Sequence, residues 1–251
     1  VSMDFNKGDI IGIIGSNGSG KSTLFNNLMG ILKSTEGEIL YNGEQLKYDK
    51  KSLYNLRKEV GIVFQDPEKQ IFYSMVYDDI AFALRNIGMD EKTIKDRIHT
   101  ALEAVNGLQF IDRPVHNLSF GQKKRVAIAS VVAMENKLVL LDEPTAGLDP
   151  ISTRAIVDII KGLNDRGVKI IISSHDMNLI YEICDYVYVL NQGVLINEGT
   201  RAEVFVNEEK INEAGLELPW LVKLHKNMGL PLFTREEDLY SYWNHREQKT
   251  V

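Results

Sequence analysis

The sequence predicts an α/β fold: a mostly parallel sheet with flanking antiparallel strands, an inserted helical subdomain and a small helical extension at the C-terminal end. Three observations lead there. The apolar run Ile10 to Ile14 enters a glycine-rich loop that opens a helix, the arrangement of a strand–loop–helix unit. Further short apolar runs then alternate with stretches of helical period, which implies parallel strands joined by crossovers. Between about Tyr77 and Met134 the alternation stops and helix follows helix with no convincing strand. The expected division is a core domain over 1–206, with the helical insert at about 77–134, and an extension over 207–251.

Taken in order, Lys21 to Leu32 is read as a helix with Leu24, Leu28, Ile31 and Leu32 on one side. Gly37 to Tyr41 and the Asn42-Gly43 pair predict a short edge hairpin. Val60 to Phe64 is a buried strand that ends at Gln65, because Asp66-Pro67 breaks regular structure. Glu91 to Val105 carries Ile94, Ile98, Leu102 and Val105 at helical spacing. Ser119 reads as the cap of a helix over Lys123 to Met134. The core resumes with the strand Leu138 to Leu141, a helix capped near Asp149-Pro150 that runs to about Asn164, and the strand Lys169 to Ile172. A helix follows His175-Asp176, and strands Tyr186 to Leu190 and Val194 to Asn197 flank the turn Asn191-Gln192-Gly193. The tail from about Asn207 reads as helical, punctuated by Pro219 and Pro231.

Composition excludes several classes. Hydrophobic residues form 44% of the 251 and charged residues 25%, the balance of an ordinary globular protein. No apolar run approaches the ~20 residues that cross a bilayer. A net charge of −6 without a dominant basic cluster argues against nucleic acid as a partner. The single cysteine, Cys184, lies in an apolar stretch and excludes a disulfide framework; it fits core packing and a reducing compartment. The chain begins at Val1 with no signal peptide and no initiator Met, so some N-terminal residues are expected to be missing.

The loop Gly15-Ser16-Asn17-Gly18-Ser19-Gly20-Lys21-Ser22-Thr23 fits the pattern G-x-x-x-x-G-K-[ST]. Its glycines let backbone N–H groups approach a polyphosphate closely, and the helix N-terminus adds its dipole. Lys21 would neutralise β- and γ-phosphate oxygens, Ser22 would offer a hydroxyl to Mg²⁺, and Thr23 would reach the α-phosphate. A plain Gly/Ser connector has no reason to end in Gly-Lys-Ser-Thr.

The strand Leu138 to Leu141 ends in Asp142 and Glu143, and acids at the tip of a buried strand are costly unless a cation receives them. Asp142 would sit near Mg²⁺ through a water; Glu143 would orient and deprotonate an attacking water. On their own the two acids would read as helix-capping acids before Pro144; taken with the phosphate loop, they favour metal and base. His175 stands at a strand end on the same predicted sheet edge, where a neutral imidazole can donate to a γ-phosphate oxygen. Leu118-Ser119-Phe120-Gly121-Gln122 opens a helix whose free N–H groups form a second anion site. It belongs to the insert, so it would serve the nucleotide of a second copy facing head to tail. An ordinary capped helix explains the same residues.

These residues resemble the nucleotide-binding subunits of ATP-binding-cassette transporters over about Lys7 to Gly199. The resemblance rests on the Walker A loop, Gln65 of the Q-loop, the signature LSFGQ, the Walker B strand with Glu143, the D-loop Ala146-Gly147-Leu148-Asp149 and His175 of the switch. It implies a P-loop NTPase core and two ATP molecules sandwiched between two chains, with Ser119, Gly121 and Gln122 of one facing the nucleotide of the other. It also implies Gln65 at the γ-phosphate and metal, and an ATPase on the cytoplasmic face of the cell membrane. Its partners would be a second ATPase subunit, in a homodimer or heterodimer, a transmembrane coupling subunit and a substrate-binding membrane subunit.

Gln65-Asp66-Pro67-Glu68-Lys69-Gln70-Ile71-Phe72 and the tail from Leu218-Pro219-Trp220 to Thr234-Arg235-Glu236-Glu237 are similar to the energy-coupling-factor importers, including the cobalt and nickel systems. Phe120 departs from the usual signature glycine, and the family's adenine-stacking aromatic would lie upstream of Val1. The alternatives are the ATPase of another importer, a soluble cassette ATPase acting on DNA ends or ribosomes, and a nucleotide sensor. A DNA-acting or ribosome-acting relative would carry a long coiled coil or two cassettes, and a sensor would lack Glu143 or His175.

Overall fold

The computed structural model describes residues 1–247, with side chains to 245. From the N-terminus the chain forms β1 (Ile10–Ile14), α1 (Lys21–Leu28), the short strands β2 (Leu40–Tyr41) and β3 (Glu44–Gln45), α2 (Lys50–Glu59) and β4 (Val60–Val63). Three helices follow: α3 (Val76–Asn86), α4 (Glu91–Ala104) and α5 (Phe120–Ala133). Next come β5 (Leu138–Asp142), α6 (Pro150–Asp165), β6 (Lys169–Ser173), α7 (Met177–Ile183), β7 (Tyr186–Asn191) and β8 (Val194–Thr200). The described chain ends with α8 (Arg201–Val206), α9 (Glu208–Glu213), α10 (Trp220–Met228) and α11 (Glu236–Glu247). The fold class is α/β with mostly parallel strand pairing, as the alternation of apolar runs predicts.

The chain divides into two compact units, Lys21–Ser173 and the combination of Val1–Gly20 with the chain from Ser174 onward. In the first, β4, β5 and β6 are parallel, with Val63 opposite Leu141 and Asp142 opposite Ser173. Their apolar residues are buried almost without alternation, as expected for parallel strands covered on both faces. Helices α3, α4 and α5 pack on one another through Ile80, Leu84, Ile94, Ile98, Leu102, Val126 and Ala129, all fully buried. Asp90 caps α4 by accepting from the Thr93 N–H, and the turn after it closes with Asn106 left-handed and Gly107 N–H donating to Leu102 O. In the second unit β1 runs parallel to β7, and β7 pairs antiparallel with β8 around a turn that places Gln192 and Gly193 at positive φ.

Several local expectations change. Helix α1 stops at Leu28 because Gly30 adopts a left-handed conformation and the Ile31 and Leu32 N–H groups turn back to Asn26 O. Ile31 and Leu32 are therefore exposed, and the buried side of the helix is Lys21 and Phe25, continued by Met29. Helix α2 was not expected; its stretch is strongly polar and buries only Leu56, but Asp49 caps it through the Lys51 and Ser52 N–H groups.

Helix α5 lies so close to β4 that a Cβ on Gly61 would fall 2.3 Å from Val131 Cγ1 and 2.6 Å from Asn136 Oδ1. Asn136 cannot step aside freely, since its amide donates to Lys58 O. Gly61→Ala is expected to destabilise the protein by about 1–3 kcal/mol, lowering the melting temperature by about 2–10 °C in a calorimetric or fluorescence melt. An unchanged melt would show that the α5–β4 spacing is not tight.

Candidate functional site

The glycine-rich loop is shaped by close packing. A Cβ on Gly15 would sit 2.3 Å from Leu190 O and 2.5 Å from Ser19 Oγ, so no side chain fits there. Gly18 and Gly20 take positive φ, which lets the loop curl, and Ser19 N–H closes it on Ser16 O at 3.1 Å. The β7–β8 turn supports the loop from below through Gly193 N–H to Ser19 O at 3.0 Å. Ser19 is 2% exposed and its hydroxyl has no hydrogen-bond partner among the described residues. An orphaned hydroxyl inside a curl of backbone N–H groups matches a ligand rich in acceptor oxygens, as a polyphosphate is. Ser16 and Asn17 lie on the same curl, Asn17 exposed. His175, exposed, stands in this same unit just before α7, whose first N–H groups are capped by Asp176.

In the other unit Lys21, Ser22 and Thr23 form the first turn of α1, with Lys21 buried and the next two exposed. The helix packs against β5, whose last residue is Asp142. Asp142 is 6% exposed and accepts from Ser173 Oγ at 2.5 Å, a contact set up by their direct pairing across β5 and β6. Glu143, equally buried, is held at φ 47°, a conformation that costs a residue with a Cβ roughly 1–3 kcal/mol. Its N–H donates to Ser173 O and Ser173 Oγ, both at 3.1 Å.

Gln65 is exposed at the end of β4, with its carbonyl turned inward to accept from Lys124 Nζ at 2.6 Å. The same ammonium donates to Glu143 O at 3.2 Å and Phe64 O at 3.4 Å. Burial pulls the Lys124 pKa down to about 8, against the upward pull of Asp142, Asp66 and Glu143. Lys123 pairs with Glu68, and Gln70 accepts from Phe64 N–H while donating to Ala127 O and Ser130 Oγ. Segment 64–70 is thus clasped to α5 at three places.

Ser119 and Gln122 form a reciprocal capping box, each side chain bonded to the other's backbone N–H. The capped-helix reading of this stretch therefore holds, and the Gln122 carbonyl oxygen is already engaged. A Cβ on Gly121 would lie 3.2 Å from Ser152 Oγ, and Phe120 approaches Gly147, so the start of α5 abuts residues 147–152. Lys124 lies five positions after Ser119, about 7.5 Å along a helix axis. The arrangement brings Lys21's helix against the strand that ends at Asp142, and sets Phe120 and Gly121 beside the segment that leads into α6.

Two polar residues at this site were missed from sequence. Ser173 is recognisable only once β5 is paired with β6, and Lys124 gives no local signal because it lies between two other basic residues, Lys123 and Arg125. Among the described residues no group of three or more His, Cys, Asp or Glu could hold a metal ion. Mg²⁺ beside a nucleotide needs only one or two carboxylates because phosphates and waters complete its shell, and Asp142 and the Ser22 hydroxyl are of the right chemistry.

A P-loop curl, a buried acid pair and a capped signature helix define the class to which nucleotide-hydrolysing cassettes belong. Residues 1–146 match the ABC transporter family, and the chain belongs to it as an ATP-binding subunit. It is 48% identical to the cobalt import ATP-binding protein CbiO of Salmonella typhimurium over 249 residues, 99% of this chain and 90% of that protein. In structure it is similar to cbiO1 from Clostridium perfringens, part of the ABC transporter complex cbiONQ, with a TM-score of 0.77 and 42% identity over 90% of both chains. It is also similar to the ATP-binding cassette MJ0796 in its dimeric, post-hydrolysis state bound to ADP and Pi, with a TM-score of 0.73 and 27% identity over 80% of this chain and 89% of that one.

If the Ser19 hydroxyl serves a phosphate, Ser19→Ala should melt no lower than the parent, because it removes a buried unpaired group worth about 1–3 kcal/mol of desolvation. Nucleotide affinity should fall about 5- to 10-fold by isothermal calorimetry, the worth of one hydrogen bond. Unchanged affinity would take Ser19 out of the site.

Proposed function

We propose that this chain is the ATP-hydrolysing subunit of a membrane importer of the energy-coupling-factor class, with cobalt or nickel as its solute. The observation that carries the hydrolytic reading is Glu143, a buried carboxylate in a strained conformation fixed from both sides of its peptide at the tip of β5. The cobalt reading is supported by the resemblance to CbiO along almost the entire chain.

In this reading the curl 15–20 and Lys21 hold the phosphates, and Thr23 reaches the α-phosphate. Water attacks the γ-phosphorus, its proton passes to the Glu143 carboxylate, and the bond to the bridging oxygen breaks as ADP leaves. His175 donates a hydrogen bond to a γ-phosphate oxygen, and Gln65 aligns with the attacking water and metal. Ser22 and Asp142, with Gln65, would hold Mg²⁺, which would supply charge neutralisation on the phosphates.

A second ATPase chain completes each site by presenting Ser119 and Gly121, with Gln122 stabilising that helix start; the dimeric state of MJ0796 supports this arrangement. Residues 1–206 serve as the nucleotide-binding domain, with 77–134 as its helical subdomain and 207–251 as an appended extension. No helix among the described residues is long and apolar enough to cross a membrane. The chain then acts peripherally, at the cytoplasmic face, against a coupling subunit and a substrate-binding subunit. Phe72 at 79% exposure, together with Tyr73 and Phe82, offers an apolar surface for that contact beside the Gln65 loop.

Glu143→Gln should retain ATP binding and lower kcat at least ~100-fold in a phosphate-release assay, while ATP-loaded protein elutes as a lasting dimer. Normal turnover in that variant would remove Glu143 as the base. The importer reading is tested by detergent pull-down from the native membrane: Co²⁺- or Ni²⁺-binding membrane subunits should co-purify, and recovery of a vitamin-binding subunit instead would overturn the choice of solute.

A further inference from the structure

Lys124 is fully buried, and all three of its donors end on backbone carbonyls: Gln65 O, Glu143 O and Phe64 O. Burying an ammonium costs several kcal/mol, and an apolar side chain of the same length would fill the space without that cost. What the charge adds is a grip on two segments far apart in sequence. Lys123 and Gln70 also join α5 to segment 64–70, but neither reaches 143. Lys124 alone, among the described residues, bonds both.

The chemistry of the side chain suits the task. Three carbonyls converge on a single atom, which an ammonium at the end of a flexible stem can satisfy; a planar guanidinium would spread its donors apart. The Glu143 carbonyl belongs to a left-handed residue, and such a conformation persists only where its surroundings over-determine it. Ser173 holds the N–H side of that residue and Lys124 holds its carbonyl.

We propose that Lys124 is a positioning residue: its ammonium fixes the backbone at Gln65 and at Glu143 to one point on α5, so that both take their places relative to the helix that begins at Ser119. Lys124 touches no substrate. Its effect on hydrolysis rests on the roles proposed for Gln65 and Glu143, whereas the tie itself does not.

The test is Lys124→Met in the full chain, read in two ways. Amide hydrogen exchange followed by mass spectrometry, without nucleotide, should speed up at least ~10-fold in both 64–68 and 143–147 while α6 stays protected. The kcat for ATP, measured well below the variant's melting temperature, should fall at least ~10-fold with KM changed less than ~3-fold, as expected when reacting groups are misplaced and ground-state binding is kept. Faster exchange in one segment only, or a kcat within twofold of the parent, overturns the proposal. A uniform loosening of α5 and β4 assigns Lys124 a structural role and overturns it too. Lys124→Gln, which keeps two donors, should fall between the two in both readouts and serves if the methionine variant does not fold. Should the parent chain hydrolyse no ATP, the proposed function fails while the exchange result still decides the tie.

Discussion

Charged groups buried at the carboxyl end of β5 set the terms for everything around them. Asp142, Glu143 and Lys124 are all nearly inaccessible, and each would be unstable there alone. The neighbourhood answers with specific partners: Ser173 Oγ for Asp142, three carbonyls for Lys124, and opposite charge between the lysine and the acids. Breaking one of these contacts would leave an uncompensated polar group in a region of low dielectric.

The same economy governs the phosphate curl. Only a glycine fits between Leu190 O and Ser19 Oγ, and the turn after β7 reaches back to brace the curl through Gly193. The backbone N–H groups of such a curl carry partial positive charge that needs no side chain and cannot titrate away. Glycine lets the curl take positive φ without strain at Gly18 and Gly20, whereas Glu143 takes the left-handed conformation with a side chain and is held there by its neighbours.

Long periodic segments were legible from the sequence alone. Helix α4 could be read from Ile94, Ile98 and Leu102, and the β7–β8 hairpin from its Asn-Gln-Gly turn. The apolar strands β1, β5 and β6 were legible because both faces of a parallel strand are covered. Helix α2 escaped because its capping Asp49 is a weak signal when only Leu56 is buried, and the end of α1 was misplaced because Gly30 was read through instead of as a stop. The residues proposed to face a nucleotide were legible because their chemistry is local: glycines, a lysine and hydroxyls within nine positions, or two acids at a strand tip.

Lys124 and Ser173 were not found, because nothing near them in sequence shows what they bind. The partners of Lys124 lie 59 and 19 positions away, and that of Ser173 lies 31 away. The order of amino acids by itself determined the family, the apolar strands, the helices with a clear apolar period, and side chains of the chemistry that meets phosphate, since each follows from short-range pattern and side-chain chemistry. Only the tertiary structure decided which buried charges share partners, how closely α5 approaches β4, and that Glu143 is held left-handed, because those depend on contacts between segments that meet only when the chain folds.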